Sequence, residues 1–310
     1  MLPELAAREW SVRQTLPARG YRDVLRALPA TWRADAVFLN GLATQHMVAP
    51  LRVAMCPAVL RVDQPLGGPP TAWQAQGSWK VLRGVVTDSE HSARECLAAG
   101  APPGLVHAVA PPAWGGGEPP SPADRAPGQR VGFVGALEPR TGVAALIEAA
   151  GRFLAERPEA TLTLMGEAPP GDDGHAQLLP AAARATGVSE RIEFEGRTED
   201  RVAWLAELDV VVVPSLADPF GMPAAEAAAA GVAVVASRTG GLLEIVEDGR
   251  TGLLVPPGDV GTLAEAVGAL LDDPSRRAEL GGEARRRALE RFSPAGYAER
   301  VDELLADAVS

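Results

Sequence analysis

From residue 130 onward, short apolar, β-branched runs alternate with longer Ala/Leu/Glu-rich stretches whose apolar positions recur at helical spacing. The runs at 130–135, 160–165, 191–194, 209–213, 232–236 and 252–255 read as strands. Helical patterns cover 142–156, 177–186, 200–207, 223–230, 241–247, 260–271, 275–291 and 294–308. The valines at 210–213 are apolar on both faces, as in a parallel sheet covered by helices on each side. Such alternation predicts a doubly wound α/β domain, with ligands beyond the carboxyl ends of its strands. Before residue 115 the pattern is sparser but of the same kind. Strands are expected at 36–40, 58–62 and 84–87, with a helix over 90–99 capped by Asp88 or Ser89 and stopped by Gly100. No strand with a glycine loop is legible before residue 36.

Between the two patterns, residues 111–130 are rich in Pro and Gly and lack a hydrophobic period. The expected organisation is a short N-terminal domain (1–115), a linker (116–129), a C-terminal domain (130–292) and a final helix (293–310) packing back on the N-terminal domain. No apolar run approaches the ~20 residues that span a bilayer. The first ten residues carry Glu4, Arg8 and Glu9 and no apolar signal core. Two cysteines, Cys56 and Cys96, have no zinc-type spacing, and no DxD metal motif follows a strand. A cytoplasmic protein without a metal or other cofactor is the expectation.

Net charge is −11, which argues against a general nucleic-acid binder. Residues 1–115 hold 11 basic against 8 acidic side chains, whereas 116–310 hold 18 against 32. Arginines at 8, 13, 19, 22, 26 and 33 are expected to form a solvated helix face, or else to face an anionic acceptor or make a weak contact with a membrane surface. Lys80 is the only lysine among the 29 basic residues, so there is no GxxxxGK[ST] loop. Any phosphate must be held by arginine, backbone N–H groups or helix N-termini.

Residues 209–258 concentrate the chemistry. A buried strand ends at Pro214-Ser215, and a loop delivers Asp218 to its carboxyl end. Phe220-Gly221-Met222 then turn into a helix opening with Pro223, whose first turn favours anions and sugar hydroxyls. Glu226 lies within reach of the same crevice, and Thr239-Gly240-Gly241 makes a second glycine turn into a helix.

This stretch resembles the retaining nucleotide-sugar glycosyltransferases of family 4. The resemblance extends through 132–150, 163–167, 191–200 and 292–305, and more weakly through AVFLNG and VVTDSEHSARECLAAG of the first half. It implies a GT-B fold: two Rossmann-like doubly wound domains facing across a cleft, here with an incomplete N-terminal one. In that family two glutamates with seven residues between them hold the donor's sugar and ribose, and Asp218 and Glu226 occupy those positions. Asp218 is equally a helix-entry cap, and Glu226 a solvated helix residue. Phe220, Gly221, Met222, Gly135, Gly240 and Gly241 would line the donor crevice, with the base read near Gly196-Arg197-Thr198.

Several positions depart from the family pattern. The Arg and Lys that grip the diphosphate are replaced by Ala136 and Thr141, with Arg140 beside the second position either as a substitute or as a surface residue. Asp63 stands where a histidine is usual, and Pro111-Pro112 replaces Asn-Gly. The first strand and Gly-Gly loop lack a counterpart, through an upstream start or loss of part of the domain. His46, Trp73 and Trp79 are acceptor-side or structural residues. The resemblance implies metal-independent transfer, with retention, from a nucleoside-diphosphate sugar to a small-molecule, glycan or lipid-linked acceptor. The departures support a different reading: a catalytically impaired relative that binds or stabilises a protein partner.

Overall fold

The computed structural model describes residues 36–40, 51, 57–63, 82–122, 128–169, 171, 174–198 and 200–309. The chain divides into two compact units, Met1–Pro111 with Pro294–Ser310, and Pro112–Ser293.

In the first unit, β1 (Val37–Leu39), β2 (Ala58–Val62), β3 (Leu82–Thr87) and β4 (Val106–Ala108) form a parallel sheet in that order. Helix α1 (Glu90–Ala98) follows β3 and is capped by Ser89, whose hydroxyl accepts from the Ser92 N–H at 3.0 Å. β4 is only three residues long and half-buried throughout, so it carries no alternating signature in sequence.

The second unit holds β5 (Arg130–Val134), β6 (Thr161–Met165), β7 (Ile192–Glu195), β8 (Val210–Val213), β9 (Ala233–Ser237) and β10 (Leu253–Val255). Its helices are α2 (Val143–Phe153), α3 (Gly174–Ala185), α4 (Arg201–Ala206), α5 (Met222–Ala229), α6 (Leu242–Ile245), α7 (Val260–Asp272) and α8 (Pro274–Arg291). The last helix, α9 (Pro294–Val309), belongs to the first unit. Its Tyr297, Val301 and Leu304 pack on Val59 of β2 and Val86 of β3, so α9 covers one face of the N-terminal sheet.

All six strands of the second sheet are parallel, in the order β10-β9-β8-β5-β6-β7. The chain winds outward from β5 to β7, then returns to the other side of β5 with β8. Neighbouring strands β5 and β8 therefore send their connections to opposite faces, and a crevice opens between their carboxyl ends. The core beneath it is apolar: Val131, Phe133, Val210, Val212 and Val235 pack with Leu146 and Ile147 of α2 and Leu263 and Val267 of α7. Burying side chains of this size stabilises by about 1.5–3 kcal/mol each, and that rigid floor holds the loops above it.

Part of the expected linker is not free. Ala113 is buried and donates to the Phe292 carbonyl at 3.0 Å, while Arg285 of α8 donates to the carbonyls of Pro119 and Pro120, both at 2.8 Å. Proline and glycine gave this segment the composition of a linker, but its carbonyls run along α8 as acceptors. The boundary between units falls at Pro111/Pro112 rather than at residue 115.

Candidate functional site

Three loops at the carboxyl ends of β5, β8 and β9 interlock by backbone contact. The N–H of Leu216 donates to the Arg140 carbonyl at 2.8 Å, and that of Gly241 to the Asp218 carbonyl at 2.9 Å. Gly142 has φ +71°, and a Cβ there would lie 2.0 Å from the Pro214 carbonyl oxygen. Gly240 has φ +54°, and a Cβ there would meet the Asp218 oxygen at 1.9 Å. Both positions need glycine for conformation and for space. Gly241 belongs to the same contact, so the glycine pair shapes the crevice from below.

Helix α5 starts from Gly221, in the left-handed conformation at φ +99°, with Pro223 in its first turn. Its sequence is MPAAEAAA, and the single charged residue, Glu226, is 4% exposed. One carboxylate oxygen, Oε1, accepts from Nη2 of Arg201 in α4. The other, Oε2, is buried without a hydrogen-bond partner among the described residues. Burial pushes the Glu226 carboxyl above the usual glutamate range, against the opposing pull of Arg201. A buried acceptor left empty is costly unless something else fills it.

Asp218 is committed to its own loop. Its Oδ2 accepts from the Ser215 hydroxyl at 3.0 Å and its Oδ1 from the Phe220 N–H at 3.2 Å. Burial raises its pKa, opposed by Ser215, by the N–H groups of Phe220 and Gly221, and by the charge of Arg140. The carboxylate thus ties the turn ahead of α5, and each oxygen retains a further lone pair for a ligand.

Arg140 reaches across the crevice mouth: Nη2 meets Glu138 Oε1 at 2.5 Å and Nη1 donates to the Ala217 carbonyl at 3.4 Å. Thr141 is 7% exposed, and its hydroxyl lies 2.9 Å from the Ala136 carbonyl and 2.8 Å from that of Glu138. The position where the resemblance implies a lysine is an internal tie of the β5 loop. Gly135 donates to the Met165 carbonyl at 3.1 Å, and its own carbonyl abuts Gly166. Arg197 is exposed and pairs with Glu167 at 3.0 Å. Phe220 is buried edge-on to Phe292, centroids 5.6 Å apart, so only its backbone remains for a ligand. Met222, at the first turn of α5, is half-buried.

Asp63 belongs to the other unit, at the end of β2, beside an ion pair of β2 with the loop after β3. There Arg61 grips Asp88 through Nε and Nη2 at 2.8 and 2.7 Å and donates from Nη1 to Asn40 Oδ1 at 3.1 Å. Asp88 is buried, which raises its pKa against the pull of Arg61. His46, Trp73, Trp79, Lys80, the N-terminal arginines and the region of the absent glycine loop lie outside the described residues. Arg201 and Ser215 were missed in sequence. A lone glutamate among alanines marked the buried site, but nothing local paired it with an arginine 25 positions away.

Among known proteins, the chain is 38% identical over 155 residues to D-inositol 3-phosphate glycosyltransferase 2 of Catenulispora acidiphila, covering 48% of this chain and 36% of that protein. It is 39% identical over 162 residues to glycogen synthase of Mycobacterium tuberculosis, covering 52% and 38%. The matched stretches span well under half the length of these relatives. The structure is similar to that of Anabaena Alr3699/HepE in complex with UDP and glucose (TM-score 0.80, 23% identity, 92% of this chain and 81% of that one). It is also similar to sucrose-phosphate synthase from Thermosynechococcus elongatus (TM-score 0.77, 23% identity, 91% and 75%). Among the described residues no helix is long and apolar enough to cross a membrane. The two parallel-sheet units have the GT-B fold, and residues 128–273 match the family model described as glycosyl transferases group 1.

Proposed function

We propose that the protein is a glycosyltransferase that takes a sugar from a nucleoside-diphosphate donor bound at the β5–β8 crevice and delivers it to an acceptor hydroxyl. The observation that carries this reading is Glu226, a buried carboxylate with one oxygen paired and the other unfilled at the helix that follows β8. A ligand bearing hydroxyls satisfies that oxygen. Arg140 and the N-terminal end of α5 supply positive potential for the diphosphate in the absence of lysine. Asp218 keeps the loop in place and offers its remaining lone pairs to the sugar. Transfer retains the anomeric configuration and needs no metal, and the N-terminal unit recognises a small-molecule, glycan or lipid-linked acceptor. A cytoplasmic location belongs to the same reading.

Calorimetry with UDP, UDP-glucose and a panel of other nucleoside-diphosphate sugars tests it. The expected result is saturable binding of at least one donor, weakened at least tenfold in Glu226→Ala, about 1.4 kcal/mol, with slow release of free nucleotide that persists in excess EDTA. Absence of binding by every donor overturns it. One observation favours a second reading, a relative that binds the donor without transferring the sugar. Thr141 is turned into its own loop, and the Arg140 guanidinium is already engaged by Glu138. Tight donor binding with no nucleotide release under any acceptor tried would select that reading, in which the protein serves a partner.

A further inference from the structure

Arg201 lies outside every motif that drew attention in the sequence, yet it makes the only ion pair at the buried carboxylate of the crevice among the described residues. Asp200 caps α4, accepting from the Ala203 N–H at 2.9 Å, and this fixes the backbone from which Arg201 projects. Helix α4 packs against α5, and the two side chains meet there, with Arg201 49% exposed and Glu226 5%. One partner is wet and the other dry. We propose that Arg201 is a positioning residue: by occupying Oε1 it holds Glu226 as a carboxylate and reserves Oε2 as the acceptor for a ligand hydroxyl.

The alternative state explains why such a partner is needed. An unpaired carboxyl buried among alanines takes up a proton, and a protonated carboxyl presents an O–H donor in place of one acceptor. It then offers a ligand hydroxyl a mixed and rotatable surface. A charge-assisted bond to one oxygen leaves the second as a defined acceptor. Among the described residues no other charged group supplies this service. Arg201 is the only charged residue of α4, and β8 and β9 carry none. From α8, Arg285 donates to the Ala229 carbonyl at the far end of α5, while Arg287 and Arg291 bond the Glu244 carbonyl of α6. Because Arg201 is half-exposed, its replacement leaves no core cavity.

This inference rests on the donor reading above, but its first measurement does not need a ligand. The carboxyl carbon of Glu226, labelled with carbon-13 and assigned through Glu226→Gln, is titrated by NMR in the wild type, Arg201→Gln and Arg201→Lys. The Gln variant is expected to titrate at higher pH by about one unit or more, the size of shift an adjacent opposite charge confers, with the Lys variant between them. Coincident midpoints in all three proteins overturn the proposal. UDP affinity is then followed against pH. It should fall as pH drops through the Glu226 midpoint, and the fall should move to higher pH in Arg201→Gln by the same amount as the carbon titration. An unchanged affinity profile also overturns the proposal. Shifted carbon titrations in a protein that binds no nucleoside diphosphate at any pH would uphold the electrostatic role of Arg201 and overturn the donor reading.

Discussion

At Thr141 the chain spends a buried hydroxyl on its own turn, where the resemblance would place a phosphate-gripping lysine. The hydroxyl proton is shared between two carbonyls of the β5 loop, those of Ala136 and Glu138. Thr141→Val keeps the shape and removes the shared hydroxyl donor, while each carbonyl keeps a backbone N–H, from Glu138 at 3.0 Å and Thr141 at 3.2 Å, so it should lower stability by about 0.5–1.5 kcal/mol, measured by denaturant unfolding. Thr141→Lys should cost at least as much and bring no gain in donor affinity, because the side chain would have to leave a site that is 7% exposed. A gain in affinity would show that the loop can be remade around a lysine. Glu226 works in the opposite sense. Its raised pKa means that its contribution to stability is present below the ordinary glutamate range and is lost as pH rises through the raised value. Above that raised value the ionised carboxylate is a cost to the fold, which a bound ligand would offset. The sequence made Glu226 visible as the one charge in an alanine helix; whether it was solvated or buried depended on neighbours that arrive from elsewhere in the chain.

Among the elements, α9 has the clearest consequence. It is the last segment of the chain, yet it covers the first sheet through Tyr297, Val301, Leu304 and Ala308. Leu304→Ala should cost about 2–5 kcal/mol, the range for truncating a buried leucine. Hydrogen exchange should locate that loss in β2 and β3, with protection in β5 and β8 unchanged. Equal loss in both units would mean that they unfold together. Most element positions were legible within a residue or two because strand runs and helix periods are local. The pair α7 and α8 was also separable, since Asp273 accepts from the Arg276 N–H at 2.9 Å and Pro274 opens the second helix. Helix α3 begins at Gly174 rather than 177, because Gly174 and His175 are weak helix formers and add nothing to the apolar period. β4 was missed for its shortness.

For the whole molecule, the proposed nucleoside-diphosphate donor is an anion that would approach an acidic domain. Residues 116–310 carry 18 basic against 32 acidic side chains. At low ionic strength this field should slow the encounter with UDP, and raising salt from about 10 to 150 mM shortens the screening length from about 30 to 8 Å. The association rate constant, measured by stopped flow, should therefore rise with salt. A fall would show that Arg140 and the end of α5 dominate the approach. Hydrophobic periodicity by itself determined the alternating elements and the α/β class of both halves, because these signals are written in adjacent residues. Only the tertiary structure decided that β8 returns beside β5, that Arg201 meets Glu226, that Thr141 and Asp218 serve their own loops, and that the final helix closes the first unit. Those outcomes depend on which distant segments share a wall, and so on burial and pairing that local pattern does not encode.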